Sequence, residues 1–484
     1  MMKMIKLPMV ASLVILLSAS LLSACGGSES HSNGKSSGGP VSEKYQGIWL
    51  SPAYGIGLKV NAGAAELFHY TTLFCLLEES DSISDEEIEA SYRLNQGVLE
   101  LLEGGRLEQR FYPALGLPEA CIGGYTPQLG DADYRADPTR DFEVFSELMA
   151  SYSVSPEAQR LNWSSIEQQA REELAEDMNE WDLLELFYQM IKPLKDIHTS
   201  IQTSEAFARV ENKPTTVSLY LQEFIAQQGL NLPLSVDQAS MANTYIMRQH
   251  ERHDATILDY AENAEDVKHA ANGLVRWFQV GHLGYLNIAA MTGFSELSDH
   301  EANLAVLDAA LDAALSDLQD TQGLIIDVRT NGGGQDLFSL AIASRFVASK
   351  TVVYRVQAGT KNARDELLDV TIQPRGAVQY LKPISLLVSA STVSAAETFS
   401  LVMSELDQVA LVGQATQGAF SDILKKTLPN GFQINLSNER YLTLNGEWLE
   451  GKGVPVDIEV PVFTQEERDG EFDYAMEAAA ALLQ

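Results

Sequence analysis

The N-terminal part of the chain is patterned as short apolar runs separated by turn residues. Runs rich in leucine, β-branched and aromatic residues lie at 45–50, 55–60, 65–77, 90–94, 98–103 and 106–114. Gly, Asn and Asp residues between them are turn formers, and short runs bounded in this way are typical of strands. The pattern predicts a small β-rich domain at residues 44–130.

A helical period replaces this pattern from about residue 141. The stretch 182–194 places its apolar residues on one broad face, namely Leu183, Leu184, Phe187, Met190, Ile191 and Leu194. Ser164 and Glu167 predict a capping box at the start of an earlier helix. We therefore predict a helical region at 141–270, although the charged stretch 204–267 indicates helix only in part.

Strand and helix patterns alternate from about residue 272 onward. Near-continuous apolar runs predict strands on both sides of Gly281 and at 323–328, 351–357, 384–389 and 408–413. Helical patterns occupy 298–319, 335–348 and 394–406, the first with a predicted capping box of Ser298 and Glu301. Repeated units of this kind indicate an α/β core at 271–484, with a parallel or mixed sheet covered on both faces.

Length and charge restrict the possible partners. The chain has 484 residues, enough for two or three domains, and a formal net charge of −34. Nucleic acids are bound by basic patches, and anionic lipid surfaces attract polybasic segments. The charge therefore argues against a nucleic-acid partner and against membrane docking by charge alone.

Residues 1–24 have the form of a signal peptide, with a basic start and an apolar run too short for a comfortable membrane span. Its end, "LSAC" at 22–25, resembles a bacterial lipoprotein box. That resemblance implies cleavage before Cys25, lipidation of Cys25, and, because Gly26 follows, anchoring at the outer membrane, periplasmic or surface-exposed. An ordinary cleaved signal or an uncleaved anchor is the alternative. Residues 25–43 are rich in Gly and Ser, which predicts a flexible tether.

The other two cysteines are Cys75 and Cys121. Export to an oxidising compartment favours a disulfide between them. Two buried free thiols are the alternative.

Two stretches of the predicted core carry candidate chemistry. The strand at 323–328 runs into the glycine turn 331–334, whose N–H groups can approach an anion or a developing oxyanion. The strand at 384–389 runs into Ser394 at a helix N-terminus, in the positive field of the helix dipole. From these residues alone, the glycines can equally form a plain turn, and Ser394 can equally be a helix cap completed by Glu397.

The order of four motifs changes this balance. "DVRTNGGG" (327–334), "STVSAAE" (391–397), "LVGQATQG" (411–418) and "LEGKGVPVDIEV" (449–460) follow one another. The series resembles the S41 peptidases, which include the C-terminal processing proteases and the tricorn core proteases, over roughly residues 141–462. The resemblance implies a crotonase/ClpP-like α/β core, serine peptidase activity on a polypeptide substrate without a cofactor, and Ser394 as the nucleophile.

The general base differs between branches of that family. The processing proteases use the lysine of a T-x-G-K motif, but the matching stretch "TQGA" has Ala419 at the lysine position. Lys425 and Lys426 lie a few residues further on, in a predicted strand. A general base supplied by Lys425 or Lys426, in place of the missing motif lysine, is therefore kept only as an alternative.

The tricorn-like branch uses a histidine at the end of the helical region, and "LKDIHTS" places His198 there. The resemblance implies that His198 acts as acid and base and that Glu450 orients it. In that branch a serine beside the histidine bridges to the glutamate. Here Ile197 precedes His198 and Thr199 follows it, so Thr199 is only a candidate for the bridge.

The oxyanion hole is expected to consist of two backbone N–H groups, from Ala395 and from Gly333 or Gly334. No metal is expected, because His250 and His253 have i, i+3 spacing without an evident third ligand. His282, beside a strand glycine, is expected to be structural.

The sequence thus predicts an S41-like serine peptidase. A PDZ domain, which is usual in processing proteases, is not apparent, and its expected place holds the unassigned stretch 204–267. The alternatives are a non-catalytic ligand-binding protein on the same fold, an esterase-type serine hydrolase, and a purely structural lipoprotein.

Overall fold

The computed structural model describes residues 41–103, 106–297 and 299–484. The predicted signal peptide, Cys25 with its predicted lipid, and the tether up to residue 40 lie outside these ranges. Within them, no helix is both long and apolar enough to cross a membrane.

An antiparallel sheet of seven strands forms the N-terminal layer, in the order β4-β3-β2-β1-β7-β6-β5. Its strands are β1 (Gly47–Ser51), β2 (Ile56–Val60), β3 (Ala64–Tyr70), β4 (Cys75–Ser82), β5 (Tyr92–Asn95), β6 (Val98–Glu103) and β7 (Arg106–Ala114). Side chains from β1, β2, β6 and β7 bury a common face that includes Trp49, Leu58, Leu99 and Phe111. The β-rich N-terminal domain predicted from the sequence is confirmed.

One predicted strand is in part a helix. Residues 90 and 91 belong to α1 (Asp85–Ser91), and β5 begins only at Tyr92. Ser84 and Glu87 form a capping box, and the first turn is acidic, which favours a helix N-terminus.

Cys75 and Cys121 are joined in a disulfide with an S–S distance of 2.08 Å. The bond connects the start of β4 with a single 3-10 turn (Glu119–Cys121) in the segment that follows β7. Both cysteines are buried against Phe68.

A helical layer follows, with α2 (Pro138–Tyr152), α3 (Ser155–Ala158), α4 (Trp163–Glu173) and α5 (Glu180–Ile191). The predicted apolar face at 182–194 is buried at every one of its positions. The capping box predicted for Ser164 is wrong, because α4 begins one residue earlier. Trp163 is buried there and its indole N–H donates to the Ser146 carbonyl, so Asn162 takes the cap position.

The stretch that the sequence left unassigned folds as β8 (Ser200–Gln202), β9 (Phe207–Arg209) and two helices, α6 (Thr216–Gln228) and α7 (Val236–Leu258). Tyr220 of α6 and Ile246 and Ile257 of α7 pack against one face of the central sheet. This pair of helices is therefore part of the α/β core and not a separate module.

The central sheet has the strand order β10-β11-β12-β13-β17-β18-β22. These strands are β10 (Lys268–Ala270), β11 (Val275–Val280), β12 (Leu283–Ile288), β13 (Leu324–Asp327), β17 (Ile384–Val388), β18 (Val409–Gly413) and β22 (Ile458–Glu459). Pairing is antiparallel from β10 to β12 and parallel from β12 to β22. The predicted mixed sheet is confirmed, although β10 begins just before residue 271.

Both faces of this sheet are covered, because successive strand residues point to opposite sides. In β13, Leu324 and Ile326 join one core and Ile325 joins the other. The first core is closed by α8 (His300–Leu318), α9 (Asp336–Ala343) and α10 (Ala395–Ser404). The second is closed by α6, α7 and the C-terminal helix (Tyr474–Leu482), which follows a short helix at Gln465–Gly470.

The cap of α8 differs from the predicted one. Asp299 accepts the N–H groups of Glu301 and Ala302, whereas Ser298 lies outside the described residues. An aspartate at this position satisfies two otherwise unpaired amides of the first turn.

Two smaller sheets complete the fold. The strand β14 (Thr351–Thr360) pairs with β15 (Ala363–Arg364), β16 (Leu368–Ile372) and β21 (Glu439–Leu442), so its predicted place in the central sheet is wrong. The strands β19 (Ile423–Thr427) and β20 (Gln433–Ser437) extend through β8 to β9. The pairing of β20 with β8 attaches the segment after His198 to the α/β core.

Candidate active site

Ser394 occupies a strained turn between β17 and α10. Its φ of 59° and ψ of −128° lie outside the left-handed helical region, in a part of conformational space that only glycine adopts readily. The surroundings hold this geometry, since the Ser394 N–H donates to the Ala419 carbonyl at 3.1 Å and the Val393 N–H to the Asn331 carbonyl at 3.1 Å. Backbone strain held in this way is concentrated at functional positions.

Glu397 fixes the loop that faces this turn. Its buried carboxylate accepts the N–H groups of Gly418 at 2.6 Å and Ala419 at 2.8 Å, the hydroxyl of Thr416 at 2.6 Å, and the Ser394 N–H at 3.3 Å. Burial raises the pKa of Glu397, while the Thr416 hydroxyl and the two loop amides oppose that rise. Glu397 thus closes a capping box with Ser394, as the capping alternative expects, and also holds the loop 416–419 in place.

The glycine turn lies directly against Ser394. A Cβ atom on Gly333 would come within 2.6 Å of the Ser394 Cβ and 2.7 Å of the Val393 carbonyl oxygen, and its φ is +99°. Its N–H donates to the Asn331 side chain at 2.9 Å. In the part of the chain that the structure describes, the N–H groups of Gly334 and Ala395 form no hydrogen bond. Of the two predicted glycines, Gly334 is therefore the better oxyanion donor.

We expect Gly333→Ala to lower the reactivity of Ser394 by roughly a hundredfold, the loss typical of a damaged oxyanion hole. The added methyl group would overlap Ser394 and displace the turn. The matched control is Gly332→Ala, because a Cβ at Gly332 meets nothing within 4 Å. The rate of covalent labelling by an alkyl fluorophosphonate measures the effect, and equal rates in the two variants would contradict it.

His198 lies in the turn between α5 and β8 and is 2% exposed. The preceding residue, Ile197, packs with Val393 and Ala419, which places the turn beside Ser394. Burial lowers the pKa of His198, and the charge of Asp196 and the main chain of Ser421 oppose the lowering. The imidazole is therefore held in its neutral form near pH 7, as a general base requires.

Glu450 is buried beneath the same loop. Its Oε2 accepts the N–H groups of Phe420 at 3.1 Å and Ser421 at 3.4 Å, while Oε1 has no partner in the described part of the chain. Burial raises the pKa of Glu450 well above its usual range, and the charges of Asp196 and Glu397 raise it further. This environment favours the protonated carboxyl group.

The segment 419–421 joins the three predicted catalytic residues. Ala419 accepts the Ser394 N–H, Phe420 and Ser421 donate to Glu450, and the main chain of Ser421 faces His198. The three residues, up to 252 positions apart in the sequence (450 − 198 = 252), are thus connected through this loop, while neither ring nitrogen of His198 has a hydrogen-bond partner in the described part of the chain.

The structure places the alternative lysine bases elsewhere. Lys425 is exposed. Lys426 is buried, and its amine donates to the Tyr54 carbonyl at 2.7 Å and the Gly55 carbonyl at 3.1 Å, which belong to the N-terminal domain. At the position of the family lysine, Ala419 forms part of an apolar cluster. A shifted lysine base is therefore not supported.

The remaining predicted positions lie in varied surroundings. Thr199 donates its hydroxyl to Asp196 at 2.6 Å and not to Glu450, so its candidate bridging role is not supported. His250 contacts Tyr220 edge to face, His253 contacts Phe463, and His282 lies exposed in a turn. Among the described residues, no group of three His, Cys, Asp or Glu side chains has an arrangement that could hold a metal ion.

Sequence reasoning missed a segment that ties the catalytic loops together. The Asn212 side chain donates to the carbonyls of Gln417 and Gly451, each at 2.9 Å. Four residues on, the Thr216 N–H donates to the Ser391 hydroxyl at 2.7 Å. The segment 212–216 therefore links three loops. They are the loop just before Ser394, the loop 416–419 that Glu397 holds, and the turn just after Glu450. No local motif signals such long-range contacts.

Comparison with known proteins adds independent information. Residues 282–460 match the model of Peptidase family S41. The carboxy-terminal processing protease CtpA of Bacillus subtilis is 25% identical over 189 residues, covering 37% of this chain and 39% of that protein. A probable CtpA-like serine protease of Staphylococcus saprophyticus is 20% identical over 284 residues, covering 57% of this chain and 51% of that protein. The chain thus spans only about two fifths to one half of these relatives.

Solved structures show the same fold. A putative peptidase from Parabacteroides merdae superposes with a TM-score of 0.56 at 23% identity, over 72% of this chain and 97% of that chain. Mature CPAF complexed with lactacystin gives a TM-score of 0.50 at 14% identity, over 72% and 98% of the two chains. The matched family region includes Ser394 and Glu450, whereas His198 lies before it.

Proposed function

Because the α/β core of this chain, at residues 282–460, belongs to peptidase family S41, we propose that the protein is a serine peptidase that cleaves polypeptides through an acyl-enzyme on Ser394. The observation that carries the proposal is the strained backbone of Ser394 against the glycine turn. A helix cap alone does not require that strain, because serine caps helices in ordinary extended backbone. A nucleophile at the sharp turn from a strand into a helix commonly shows it.

The first half of the reaction forms the acyl-enzyme. Neutral His198 removes the proton from the Ser394 hydroxyl as the oxygen attacks the peptide carbonyl carbon. The N–H groups of Ala395 and Gly334 stabilise the negative charge that develops on the carbonyl oxygen. Protonated His198 then gives its proton to the leaving amine as the C–N bond breaks.

The second half releases the acyl group. Water replaces the amine, His198 removes one of its protons, and the Ser394 oxygen takes a proton back when the ester bond breaks. Glu450 orients the imidazole in this proposal. Its amide partners, Phe420 and Ser421, fix it on the loop that also contacts Ser394 and His198.

The substrate is proposed to be an extended or unfolded polypeptide. The similar proteins include carboxy-terminal processing proteases of Bacillus subtilis and a probable CtpA-like serine protease, but they are at most 26% identical to this chain over these matches. The helices α6 and α7 occupy the stretch where those proteases usually carry a PDZ domain. Recognition of a chain terminus is therefore not included in the proposal.

The test is covalent labelling of the full-length protein, purified in detergent, with an alkyl fluorophosphonate. The Ser394 oxygen would bond to phosphorus, fluoride would leave, and the hydroxyl proton would pass to His198. Peptide mapping is expected to find the label on Ser394. An unlabelled folded protein would favour the ligand-binding alternative. A labelled protein that cleaves esters but none of a peptide library would favour the esterase.

We further propose that Cys25 is lipidated and holds the protein at the outer membrane, facing the periplasm or the outside. The motif before Cys25 and the Gly- and Ser-rich stretch after it support this proposal. Wild-type protein is expected to incorporate labelled palmitate and to sediment with the outer membrane, whereas Cys25→Ser is expected to lose both properties. Cys121→Ser is the matched control, and loss of label in that variant would argue against Cys25 as the site.

A further inference from the structure

Asp196 is a buried carboxylate in the turn that carries His198. Its Oδ2 accepts the hydroxyl groups of Ser155 at 2.5 Å and Thr199 at 2.6 Å, and its Oδ1 accepts the main-chain N–H of His198 at 2.9 Å. Hydrogen bonds to a charged acceptor are stronger than those between neutral groups. Asp196 therefore fixes the backbone from which the imidazole extends and anchors it to α3.

The charge of Asp196 also reaches both other titratable groups of the site. It is the largest influence that raises the pKa of His198 against burial, with Asp336 adding to it and Arg209 opposing it. It is second only to burial in raising the pKa of Glu450, ahead of Glu397. Both groups are thus biased toward their protonated forms by the same carboxylate.

These two observations define a role that neither the motif series nor the comparisons assign. We propose that Asp196 is a positioning residue: it fixes the histidine turn and supplies the negative charge that the imidazolium meets during acyl transfer. The proposal rests on the proposed function, because it assumes that His198 serves Ser394. In many histidine bases a single carboxylate both orients the imidazole and supplies negative charge. Here we assign the negative charge to Asp196, because the surroundings of Glu450 favour its neutral form.

The test compares Asp196→Asn with Ser155→Ala and Thr199→Val in full-length protein. Asparagine keeps the size of the side chain but removes its charge, whereas each control removes one hydroxyl donor and keeps the charge. The rate of fluorophosphonate labelling is measured from pH 4 to 9, and the melting temperature of each variant is recorded. We expect labelling of Asp196→Asn to fall on the order of 10- to 100-fold, the range of a misplaced acid–base group.

The direction of the pH shift separates positioning from a purely structural role. Because Asp196 raises the pKa of His198 and of Glu450, its neutralisation lowers both. The acidic limb of the Asp196→Asn profile is therefore expected to move to lower pH, while Ser155→Ala and Thr199→Val keep the wild-type position. A reduced rate with an unmoved limb, or a rate equal to wild type, would overturn the proposal.

If Asp196→Asn does not fold, the double variant Ser155→Ala/Thr199→Val loosens the carboxylate without removing it and is expected to label several-fold more slowly. Wild-type labelling in that variant would overturn the proposal. If the wild-type protein itself is not labelled at Ser394, the proposed function has failed, and the result is distinguishable because it appears without any change at Asp196.

Discussion

Replacing Ser394 by alanine is expected to abolish fluorophosphonate labelling and to reduce peptide hydrolysis by at least about 10³-fold, as in other enzymes that lose a serine nucleophile. In the proposed mechanism the Ser394 hydroxyl oxygen is the atom that bonds to the acyl group, and alanine has no atom that can form this bond. The fold should survive, because the Ser394 N–H keeps its bonds to the Ala419 carbonyl and the Glu397 carboxylate in the alanine variant. Labelling, hydrolysis of a peptide library and the melting temperature are measured together.

The matched control is Ser404→Ala on the same helix. Ser404 donates its hydroxyl to the Leu401 carbonyl at 2.8 Å at the far end of α10. It is therefore expected to label and to hydrolyse at nearly the wild-type rate. Hydrolysis that persists in Ser394→Ala at the level of Ser404→Ala would place the nucleophile elsewhere.

The sequence predicted the middle strands of the central sheet, β12, β13 and β17, well because they are buried on both faces. Such strands are nearly continuous apolar runs, as at Leu324–Asp327 and Ile384–Val388, and helices must lie between parallel neighbours. The strand β14 was assigned to the wrong sheet for the same reason. Its apolar run indicates a strand but does not indicate which strands it pairs with. Its pairing with β21 joins residues more than 80 positions apart in the sequence.

The stretch 204–267 shows where periodicity stops being informative. The helices α6 and α7 bury only part of their residues, including Tyr220, Ile246 and Ile257, and the remaining positions are mostly polar in α6 and include several charges in α7. Their pattern is accordingly weak, although their packing against the sheet is well defined. Likewise, the predicted caps at Ser164 and Ser298 follow sequence rules, whereas the structure places caps at the neighbouring Asn162 and Asp299.

The candidate site was predictable where a residue belongs to a motif and unpredictable where it acts over distance. Ser394, Glu450 and the glycine turn were identified from ordered motifs that resemble a family. Glu397 was considered only as a helix cap, yet its carboxylate also fixes the loop 416–419. Asp196 stands two residues before His198, and that spacing was visible, but only the folded chain shows its partners Ser155 and Thr199.

The choice between histidine and lysine as the base leads to the second large expected effect. His198→Ala should reduce the labelling rate by about 10³-fold, within the range of a lost general base. Burial lowers the pKa of His198 below its usual value near 6.5. Wild-type labelling should therefore rise with pH through a point below 6.5 and then level off, as the imidazole loses its proton. His198→Ala should lose this step, and its residual rate should increase only with hydroxide concentration.

Lys426→Met provides the matched comparison, because burial also lowers the pKa of Lys426 well below its usual range. A lysine of that kind resembles an activated base by its pKa alone. Its amine, however, donates to Tyr54 and Gly55 of the N-terminal domain and lies over the Tyr152 ring at 5.2 Å. Geometry takes precedence over pKa in choosing a base, so Lys426→Met should keep the pH profile of labelling and change mainly the melting temperature. If the profile is lost in Lys426→Met and kept in His198→Ala, the base is the lysine, and the environment of His198 serves the fold alone.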